Sequence, residues 1–484
     1  MVVIQTKSLM ISDFNKIKKM NFENSIQTAI YGSGYSGKKI ASQLKLNKTN
    51  VDCFIDDNLS KIGSKINGIK VISYEQLKII SKKYIISNII VAIPSLSESE
   101  NSKLVKKLYP YALTISSLPR KFFFKRKDIK LIDIENISID QILNKTSFAI
   151  NKKTLKSFRN KNILITGGAG SIGSEIAMQL IKSECNKICI LDNSELNMHN
   201  FIKKKLLGHI SKFKFILDDI KNEKFLTNLI KLHQINYIFH TAAYKHVNYL
   251  EDNVHGAVSN NIFGTISLLN SIKNMKINVV FISTDKAANP KNILGITKRL
   301  SEIIIQSYSK LNEYKNSKFS IVRFGNVIGS AGSALPIFFN QILSNKPITI
   351  TDIRMKRFFM SMKEACGLVI EASQIKSNGY ILILKMGKQI KIINIVKKMF
   401  KLLSTDGQKL KIKIIGKNKN EKISEVLSSS KIFYKTNVDK IMKVKEKSFN
   451  RSSTFCFMEK LNKDMKNINN KGFHQLVKSF FKKL

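Results

Sequence analysis

A glycine-rich segment, TGGAGSIG at residues 166–173, constrains the fold of this chain more than any other feature. It lies between the apolar run NILI, which is typical of a buried strand, and the run SEIAMQL, which is typical of a helix. Its glycines Gly167, Gly170 and Gly173 allow a tight turn from strand to helix and let a phosphate group approach the helix N-terminus. A strand, such a turn and a helix begin a βαβ unit, so we expect an α/β fold with a parallel sheet.

The hydrophobic pattern predicts two series of strands and helices. Six apolar, β-rich runs separated by helical stretches predict a doubly wound parallel sheet: NILITGG, KICILDN, FKFILDD, NYIFHTAA, NVVFIST and FSIVRFGN. A weaker series, TAIYGSG, GKKIASQLK, VDCFIDD and NIIVAIPS, predicts a smaller Rossmann-like domain before it. The predicted organisation is a polar N-terminal segment at 1–25, a first Rossmann-like domain at 26–118, a linker at 119–159, a second domain with a substrate lobe at 160–430, and a basic C-terminal segment at 431–484.

The glycine-rich turn of the first domain is GSGYSG, from Gly32 to Gly37. Asp56 and Asp57 end the next predicted strand, where an acid that binds ribose would lie. Two interpretations stay open for this domain: a nucleotide or other phosphate ligand, or a turn that is kept for packing and binds nothing.

The second turn carries a more complete cofactor pattern. Asp192 ends the next strand, 19 residues after Gly173, and its carboxylate could accept both ribose hydroxyls of NAD while repelling the 2′-phosphate of NADP. Later strand ends would meet the adenine and the diphosphate. The sequence thus predicts an NAD site made of Gly167, Gly170, Ser171, Ile172, Gly173, Asp192, Asp219, Ile220, Ala242 and Ala243. No spacing of cysteine or histidine residues predicts a metal site.

Five further segments carry a specific resemblance: AAYKHV (242–247), NNIFGT (260–265), FISTDKAANPKNILGITKR (281–299), VRFGNVIGSAGSALPIFFNQI (322–342) and MKRFFMSMKEA (355–365). With the glycine-rich turn, they resemble the polysaccharide-biosynthesis nucleotide-sugar 4,6-dehydratases. These are extended short-chain dehydrogenases that act on UDP-N-acetylglucosamine with a Thr-Asp-Lys triplet. The resemblance covers residues 160–430, and the first domain is similar to the accessory domain of the large family members. It implies a bound, recycled NAD and a role in surface-polysaccharide synthesis.

The resemblance assigns the chemistry to four residues. In this reaction NAD takes hydride from C4 of the hexose, the new ketone acidifies the C5 proton, and hydride returns to C6 once water has left. By resemblance, Thr284 hydrogen-bonds O4, Asp285 is the general acid for the C6 hydroxyl, and Lys286 is the general base at C5. That base needs a pKa lowered toward neutrality. Lys298, 12 residues later, would hold the nicotinamide ribose and favour deprotonation of O4.

The same resemblance implies a set of substrate-binding residues. They match family positions expected near the nucleotide sugar and are Tyr244, Lys245, His246, Asn326, Arg357 and Glu421. His246 fits a structural histidine as well as a functional one, and both interpretations stay open.

Three features depart from the family pattern. Leu294 stands four residues before Lys298, where ordinary short-chain dehydrogenases have a catalytic tyrosine and the large retaining dehydratases have Met. Leucine cannot transfer a proton, which favours a dehydratase over the alternative of an epimerase. In GKNKNEKISE (416–425), Asn418 replaces an arginine expected to pair with the substrate diphosphate, and Asn420 replaces a glycine. Large members carry transmembrane helices before the accessory domain, whereas this chain starts almost at that domain, which fits either a natural soluble form or a truncation.

Composition constrains the partners less than the motifs do. The chain has 82 Lys and Arg against 34 Asp and Glu, a formal charge of +48 over 484 residues. A nucleic-acid-binding protein is the remaining alternative, but no helix-turn-helix, RNA-binding aromatic motif or zinc spacing supports it. The diffuse lysine excess fits a compositional bias, and it could attract a UDP-sugar or an anionic membrane surface. Without a long apolar run or a secretion signal, we expect a cytoplasmic homo-oligomer that associates at most peripherally with the inner face of the membrane.

Overall fold

The computed structural model of the protein describes residues 25–46, 49–81, 84–112, 114–118, 135–137, 148–205, 210–330, 332–377, 379–404, 408–418, 420–447, 449–465 and 469–482. Most of the predicted N-terminal segment and most of the predicted linker therefore lie outside the described residues. The chain divides into two compact units. The first unit comprises Met1–Asn144, Phe339–Pro347 and Lys397–Lys411, and the second comprises Lys145–Phe338, Ile348–Val396 and Ile412–Leu484.

The first unit contains a seven-stranded sheet in the order β3-β4-β2-β1-β5-β6-β7. Its strands are β1 (Ser25–Tyr31), β2 (Cys53–Ile55), β3 (Lys65–Ile66), β4 (Ile69–Ile72), β5 (Ile85–Val91), β6 (Thr114–Ser117) and β7 (Glu135–Ile137). The five inner strands are parallel, and β3 and β7 pair antiparallel at the edges. Helices α1 (Tyr35–Leu46), α2 (Tyr74–Ser81) and α3 (Glu98–Leu108) connect them. The glycine-rich turn of this unit thus lies between the central strand β1 and helix α1.

The second unit is built on a nine-stranded sheet in the order β10-β9-β8-β11-β12-β13-β18-β22-β21. Its strands are β8 (Asn162–Thr166), β9 (Lys187–Asp192), β10 (Phe213–Leu217), β11 (Tyr237–His240), β12 (Asn278–Thr284), β13 (Lys318–Phe324), β18 (Ile381–Leu384), β21 (Phe433–Lys435) and β22 (Ile441–Val444). The strands from β10 to β18 run parallel, whereas β22 and β21 are antiparallel additions from the C-terminal part of the chain.

Three small two-stranded sheets complete the strands of the second unit. They pair β14 (Asn326–Val327) with β17 (Phe359–Met360), β15 (Ile348–Ile350) with β20 (Ile412–Ile414), and β16 (Lys356–Arg357) with β19 (Ile390–Lys391). These pairs lie in the part of the sequence predicted to form the substrate lobe.

The remaining helices follow in chain order. They are α4 (Lys152–Lys156), α5 (Ser171–Leu180), α6 (Glu195–Lys205), α7 (Glu223–Leu232), α8 (Val247–Asp252), α9 (Val254–Val258), α10 (Gly264–Ser271), α11 (Ile293–Tyr308), α12 (Ala334–Leu343), α13 (Met362–Ala372), α14 (Ile392–Leu403), α15 (Arg451–Asp464) and α16 (Asn470–Phe481). A π-helical turn, Ser259–Phe263, joins α9 to α10. Helices α12 and α14 each contain a boundary between the two units in the chain.

Helix α11 is enclosed along its whole length, since all sixteen of its residues are buried. The apolar cluster that includes it contains the sheet residues Val279 and Ile321 and also Phe457 and Phe473 of α15 and α16. The C-terminal helices therefore cover the helix that carries Lys298. Burial of this extent stabilises the fold by about 25 cal/mol per Å² of apolar surface removed from water.

The two parallel sheets with connecting helices confirm the predicted α/β fold of two Rossmann-like sheets. Among the described residues, no helix combines the length and the apolar character that crossing a membrane requires.

Candidate functional site

The glycine-rich turn of the second unit is a cradle that side chains would fill. Gly167 has a positive φ of 62°, and a Cβ there would lie 2.6 Å from the Ala242 Cα. A Cβ on Gly173 would lie 2.5 Å from the Gly167 carbonyl oxygen. Helix α5 begins after Gly170, which has no side chain to cap its first N–H groups. The turn therefore presents backbone donors and the positive end of a helix dipole to an anion such as a diphosphate.

Asp192 lies at the end of β9, next to this turn. Its Oδ2 accepts a hydrogen bond from the backbone N–H of Ala169 at 3.0 Å, and Oδ1 accepts one from Ser194 at 3.0 Å. Burial raises the pKa of the carboxyl group, while the backbone donors act in the opposite direction. The side chain is thus fixed in a position from which its carboxylate could bind the hydroxyl groups of a ribose.

The segment after β11 forms the opposite wall. Thr241 Oγ1 donates to the carbonyl oxygens of Thr166 at 2.7 Å and Gly167 at 3.1 Å, which joins this wall to the turn. Tyr244, Lys245 and His246 follow. Burial lowers the pKa of His246, and nearby Lys245 lowers it further.

A cavity of about 930 Å³ lies between these walls. Of the predicted residues, its lining includes Gly167, Gly170, Ser171, Ile172, Gly173, Asp192, Ile220, Ala242, Ala243, Tyr244, Lys245 and His246. Asp219 is not part of the lining, and its neighbour Asp218 is. Asp219 instead accepts a hydrogen bond from the Lys221 N–H at 2.9 Å. Neighbouring side chains on an extended backbone point to opposite sides, which explains why only one of the two aspartates faces the cavity. The volume suits a ligand of dinucleotide size.

The Thr-Asp-Lys turn is a second, compact group at the end of β12. Thr284 Oγ1 donates to Asp285 Oδ1 at 2.9 Å, and Lys286 Nζ donates to the same oxygen at 3.1 Å. Asn326 Oδ1 lies 3.5 Å from the Lys286 Nζ. Asp285 is fully buried, and no donor among the described residues reaches its Oδ2. A carboxyl oxygen without a partner and an amine therefore lie side by side, which is the arrangement that paired acid and base catalysis needs.

Helix α11 begins directly behind this turn. A Cβ on Gly295 would lie 2.5 Å from the Lys286 carbonyl oxygen, so glycine permits the close approach. Leu294 is buried in the apolar core, and Lys298 is buried one turn later. Burial lowers the pKa of Lys298 to about 7, although Glu302 acts to raise it. The Lys298 Nζ lies 4.2 Å from the centre of the Phe281 ring.

Two buried polar residues had no role predicted from the sequence, and one of them, Asn261, connects the cavity wall to α11. Asn261, in the π-helical turn, accepts the Tyr244 N–H at 2.8 Å and donates to Thr297 Oγ1 at 3.1 Å. His240 lies between the hydroxyls of Thr166 at 2.7 Å and Thr265 at 3.1 Å. Burial and the nearby Lys298 lower its pKa to about 3, so the imidazole is neutral.

A buried ionic cluster fixes the strand that carries the Thr-Asp-Lys turn. Arg323 binds Glu302 through two hydrogen bonds of 2.6 Å and binds Glu446 at 2.7 Å. Ser283, the residue before Thr284, donates to Glu302 at 2.6 Å. Burial opposes ionisation of Glu302, but Arg323 and Arg299 hold its pKa below the usual value. The signal for this cluster in the sequence is a charged residue beside apolar ones, as at Arg323 and Glu302.

The last two predicted substrate residues contact each other. Arg357 NH2 lies 3.4 Å from Glu421 Oε1, and the buried guanidinium also donates to the Ile423 carbonyl oxygen at 3.1 Å. Neither residue lines the large cavity, and nor do Thr284, Asp285, Lys286, Lys298 and Asn326. Some predicted residues thus line the cavity and others lie outside its lining, and the roles of all of them stay predictions.

The first unit has a smaller cavity of about 460 Å³, lined by the glycine-rich turn, Asp56, Asp57 and residues 92–95. Asp56 accepts hydrogen bonds from the Ser33 N–H at 2.9 Å and the Ser33 hydroxyl at 2.5 Å. Asp57 accepts from the Tyr31 hydroxyl at 2.7 Å. The predicted second nucleotide ligand stays a prediction.

Comparison with known proteins places this geometry in a family. Residues 163–446 match the model of a family described as polysaccharide biosynthesis protein. The chain belongs to this family. The capsular polysaccharide biosynthesis protein CapD from Staphylococcus aureus is 32% identical over 88% of this chain and 71% of its own length. The X-ray structure of Pen from Bacillus thuringiensis has 32% identity and a TM-score of 0.56 over 61% of this chain and 92% of its own. A UDP-glucose 4-epimerase from Rickettsia canadensis is 33% identical over 56% of this chain and 79% of its own length.

Proposed function

We propose that the protein is an NAD-dependent UDP-N-acetylglucosamine 4,6-dehydratase that acts in capsular or other surface polysaccharide synthesis. The observation that carries the proposal is the pair of Asp285 and Lys286, whose reactive groups lie 3.1 Å apart on one turn behind β12. Family membership and the polysaccharide role named for the relative from Staphylococcus aureus support it.

The cavity of the second unit fits NAD. Gly167 and Gly173 leave space that any side chain would occupy, and Gly170, Ser171 and Ile172 begin the helix that would face the diphosphate. Asp192 would hold the adenosine ribose, and Ala242 and Ala243 would border the diphosphate. When bound, NAD would supply the acceptor for hydride from C4 and the donor for hydride to C6.

The chain's own residues would carry the proton transfers. Transfer of one proton from Lys286 Nζ to Asp285 across 3.1 Å gives a neutral amine and a carboxylic acid without changing the net charge. The amine would then remove the proton from C5, and the carboxylic acid, whose Oδ2 has no partner among the described residues, would protonate the C6 hydroxyl so that it leaves as water. Thr284 would hydrogen-bond O4, whose proton would pass to solvent as hydride leaves C4. Lys286 would return a proton to C5 as hydride reaches C6 and would regain its own from solvent. Lys298, with its pKa near 7, would hold the nicotinamide ribose and stabilise the developing charge on O4.

The substrate would be oriented by side chains on both sides of this turn. Tyr244, Lys245 and His246 line the cavity, and Asn326 contacts Lys286. Arg357, held by Glu421, provides a planar guanidinium of the kind that binds a diphosphate. A homo-oligomer, a cytoplasmic location and a peripheral membrane contact remain predictions.

The test is to incubate the purified chain with UDP-N-acetylglucosamine without added NAD. We expect a 4-keto-6-deoxy product that has lost one water, detected by mass spectrometry and NMR. The variant Lys286→Ala should lower kcat by about 10²–10⁴-fold while NAD stays bound, because only the base is removed. Lys291→Ala, an exposed lysine five residues on, is the matched control and should leave turnover unchanged. Retention of the C6 oxygen in the product would contradict the proposal.

An epimerase is the second candidate, supported by the identity to the UDP-glucose 4-epimerase from Rickettsia canadensis. Leu294, which is buried and has no proton to transfer, argues against it. The product mass separates the two, since an epimer keeps the mass of its substrate.

A further inference from the structure

The two asparagines that depart from the family pattern both contact helix α8. Asn418 Nδ2 donates to Asn248 Oδ1 at 2.8 Å, and Asn420 Nδ2 donates to Glu251 Oε2 at 2.7 Å. Helix α8 directly follows the Tyr244–His246 wall of the cavity, and its Leu250 is part of the cavity lining. Asn418 and Asn420 are therefore joined to a wall of the cavity by side-chain hydrogen bonds.

Glu251 uses its other carboxylate oxygen to hold the start of helix α11. Its Oε1 accepts the backbone N–H of Ile293, the first residue of that helix, at 2.8 Å. The first N–H groups of a helix have no partner within the helix, and a negative charge there is favoured by the helix dipole. Asn292 caps the same end by accepting the Gly295 N–H at 2.8 Å. One carboxylate thus joins Asn420 to the N-terminus of α11.

Both ends of this connection lead to predicted functional residues. At one end, Gly295 is packed so closely on the Lys286 carbonyl that a Cβ would lie 2.5 Å from its oxygen. At the other end, Asn420 precedes Glu421, whose carboxylate lies 3.4 Å from the Arg357 guanidinium. The connection therefore runs between the two groups of side chains that would act on the substrate.

We propose that Glu251 is a positioning residue. It couples the position of Asn420 and Glu421 to the position of the Thr-Asp-Lys turn. The Glu251 bridge consists of the Glu251 carboxylate, the Ile293 N–H and the Asn420 side-chain amide. Its kinetic consequences rest on the proposed dehydratase function. In this chain, Asn420 supplies the hydrogen bond that a glycine could not.

The kinetic test compares single and double variants of the full chain with UDP-N-acetylglucosamine. Asn420→Ala removes one arm of the bridge, so KM should rise about 5- to 10-fold while kcat changes less than about 2-fold. Glu251→Ala removes both arms, so kcat should also fall, by about 10-fold. Glu251→Gln keeps an acceptor for Ile293, and a turned Asn420 amide can accept from it, so this variant should restore near-normal kinetics.

The matched control is Asn418→Ala, which loses a hydrogen bond of the same kind to Asn248 and leaves the bridge intact. In the double variant Asn418→Ala/Glu251→Ala, the two fold-losses in kcat/KM should multiply. In Asn420→Ala/Glu251→Ala, kcat/KM should be close to that of Glu251→Ala alone. Independent effects of Asn420 and Glu251 would overturn the proposal.

Hydrogen exchange of the Ile293 amide tests the bridge without any substrate. Exchange should accelerate at least about 10-fold in Glu251→Ala and stay unchanged in Asn420→Ala, because only the first loses the acceptor of this N–H. Unchanged exchange in Glu251→Ala would overturn the proposal even if turnover is as expected. If the wild type forms no dehydrated product, the proposed function fails, and the exchange result still decides whether the bridge exists. Asn420→Ala leaves the helix cap in place, so the comparison does not depend on Glu251→Ala folding.

Discussion

The two glycine-rich turns of this molecule have the same backbone construction. In the first unit, a Cβ on Gly37 would lie 2.0 Å from the Gly32 carbonyl oxygen. In the second unit, a Cβ on Gly173 would lie 2.5 Å from the Gly167 carbonyl oxygen. In both, the last glycine is required because the helix begins in contact with the turn itself. Glycine spacing therefore reports how a strand, a turn and a helix pack, whether or not a ligand binds.

The turns also share a carboxylate from the neighbouring strand. Asp56 accepts the Ser33 N–H at 2.9 Å in the first unit, and Asp192 accepts the Ala169 N–H at 3.0 Å in the second. An acid at this place is thus part of how the turn is held. Its presence alone does not distinguish a nucleotide site from a structural turn.

What differs is the chain at the ends of the other strands. In the second unit, β11 is followed by Thr241–His246 and β12 by the Thr-Asp-Lys turn, and the cavity measures about 930 Å³. In the first unit, β5 is followed by Ala92, Ile93 and Pro94, and the cavity measures about 460 Å³. Residues 92–94 have no group that could transfer a proton. The two units therefore differ in the side chains that follow the neighbouring strands and not in the glycine-rich turn itself.

The largest effect that separates the two turns is expected from alanine at the last glycine. Gly173→Ala should weaken NAD binding by about 100-fold or more, because the added Cβ displaces the turn that would hold the diphosphate. Gly37→Ala should leave NAD binding within about 2-fold while destabilising the first unit by about 1–3 kcal/mol. Calorimetric titration of NAD and urea unfolding of both variants measure this. An equal loss of NAD affinity in the two variants would show that the turns are not independent.

A smaller contrast is expected from the paired carboxylates. Asp192→Asn should weaken NAD binding by about 10- to 100-fold, since a charge-assisted contact to ribose and one backbone acceptor are lost. It should also narrow the preference for NAD over NADP, because the repulsion of the 2′-phosphate disappears. Asp56→Asn makes the same change in the first unit and should not alter either affinity. The comparison breaks down if Asp56→Asn weakens NAD binding as much as Asp192→Asn does.

The strands and turns that local patterns specify could be predicted from the sequence. The central strands of both sheets are short apolar runs, and the glycine-rich turn and the Thr-Asp-Lys turn each follow one of them. Strands β21 and β22, by contrast, were not predicted. Strand β21 is exposed, β22 is only four residues long, and they join the sheet through the pairing of β22 with the distant strand β18. Helix α16 lies in the part predicted only as a basic C-terminal segment, and its packing over α11 depends on contacts between residues far apart in the chain.

Contacts between distant residues set the limit for the site as well. Asn261 reaches Tyr244 and Thr297 across 17 and 36 residues, and no local pattern indicates such pairs. The choice between Asp218 and Asp219 depends on which side of an extended segment faces the cavity, and a shift of one residue reverses it. An arrangement within one short segment could be predicted, whereas one assembled from several segments required the structure.

The two units are also expected to respond to pH in opposite directions. Burial lowers the pKa of Lys298 to about 7, well below its ordinary value, so between pH 7 and about 10 the folded amine is neutral while the unfolded lysine is protonated. Unfolding then takes up a proton, and the free energy of unfolding rises with pH by up to about 1.4 kcal/mol per unit. In the first unit, burial raises the pKa of Cys53 to about 12, so above about pH 9 the unfolded thiol releases a proton that the folded thiol keeps, and stability falls. Urea unfolding from pH 7 to 10.5 should therefore show that Lys298→Met loses stability relative to wild type as pH rises, whereas Cys53→Ala gains it above pH 9. If the free energy of unfolding of Lys298→Met and of wild type varied with pH in parallel, Lys298 would be charged in the folded protein. That result would contradict the expectation of a neutral amine at this position.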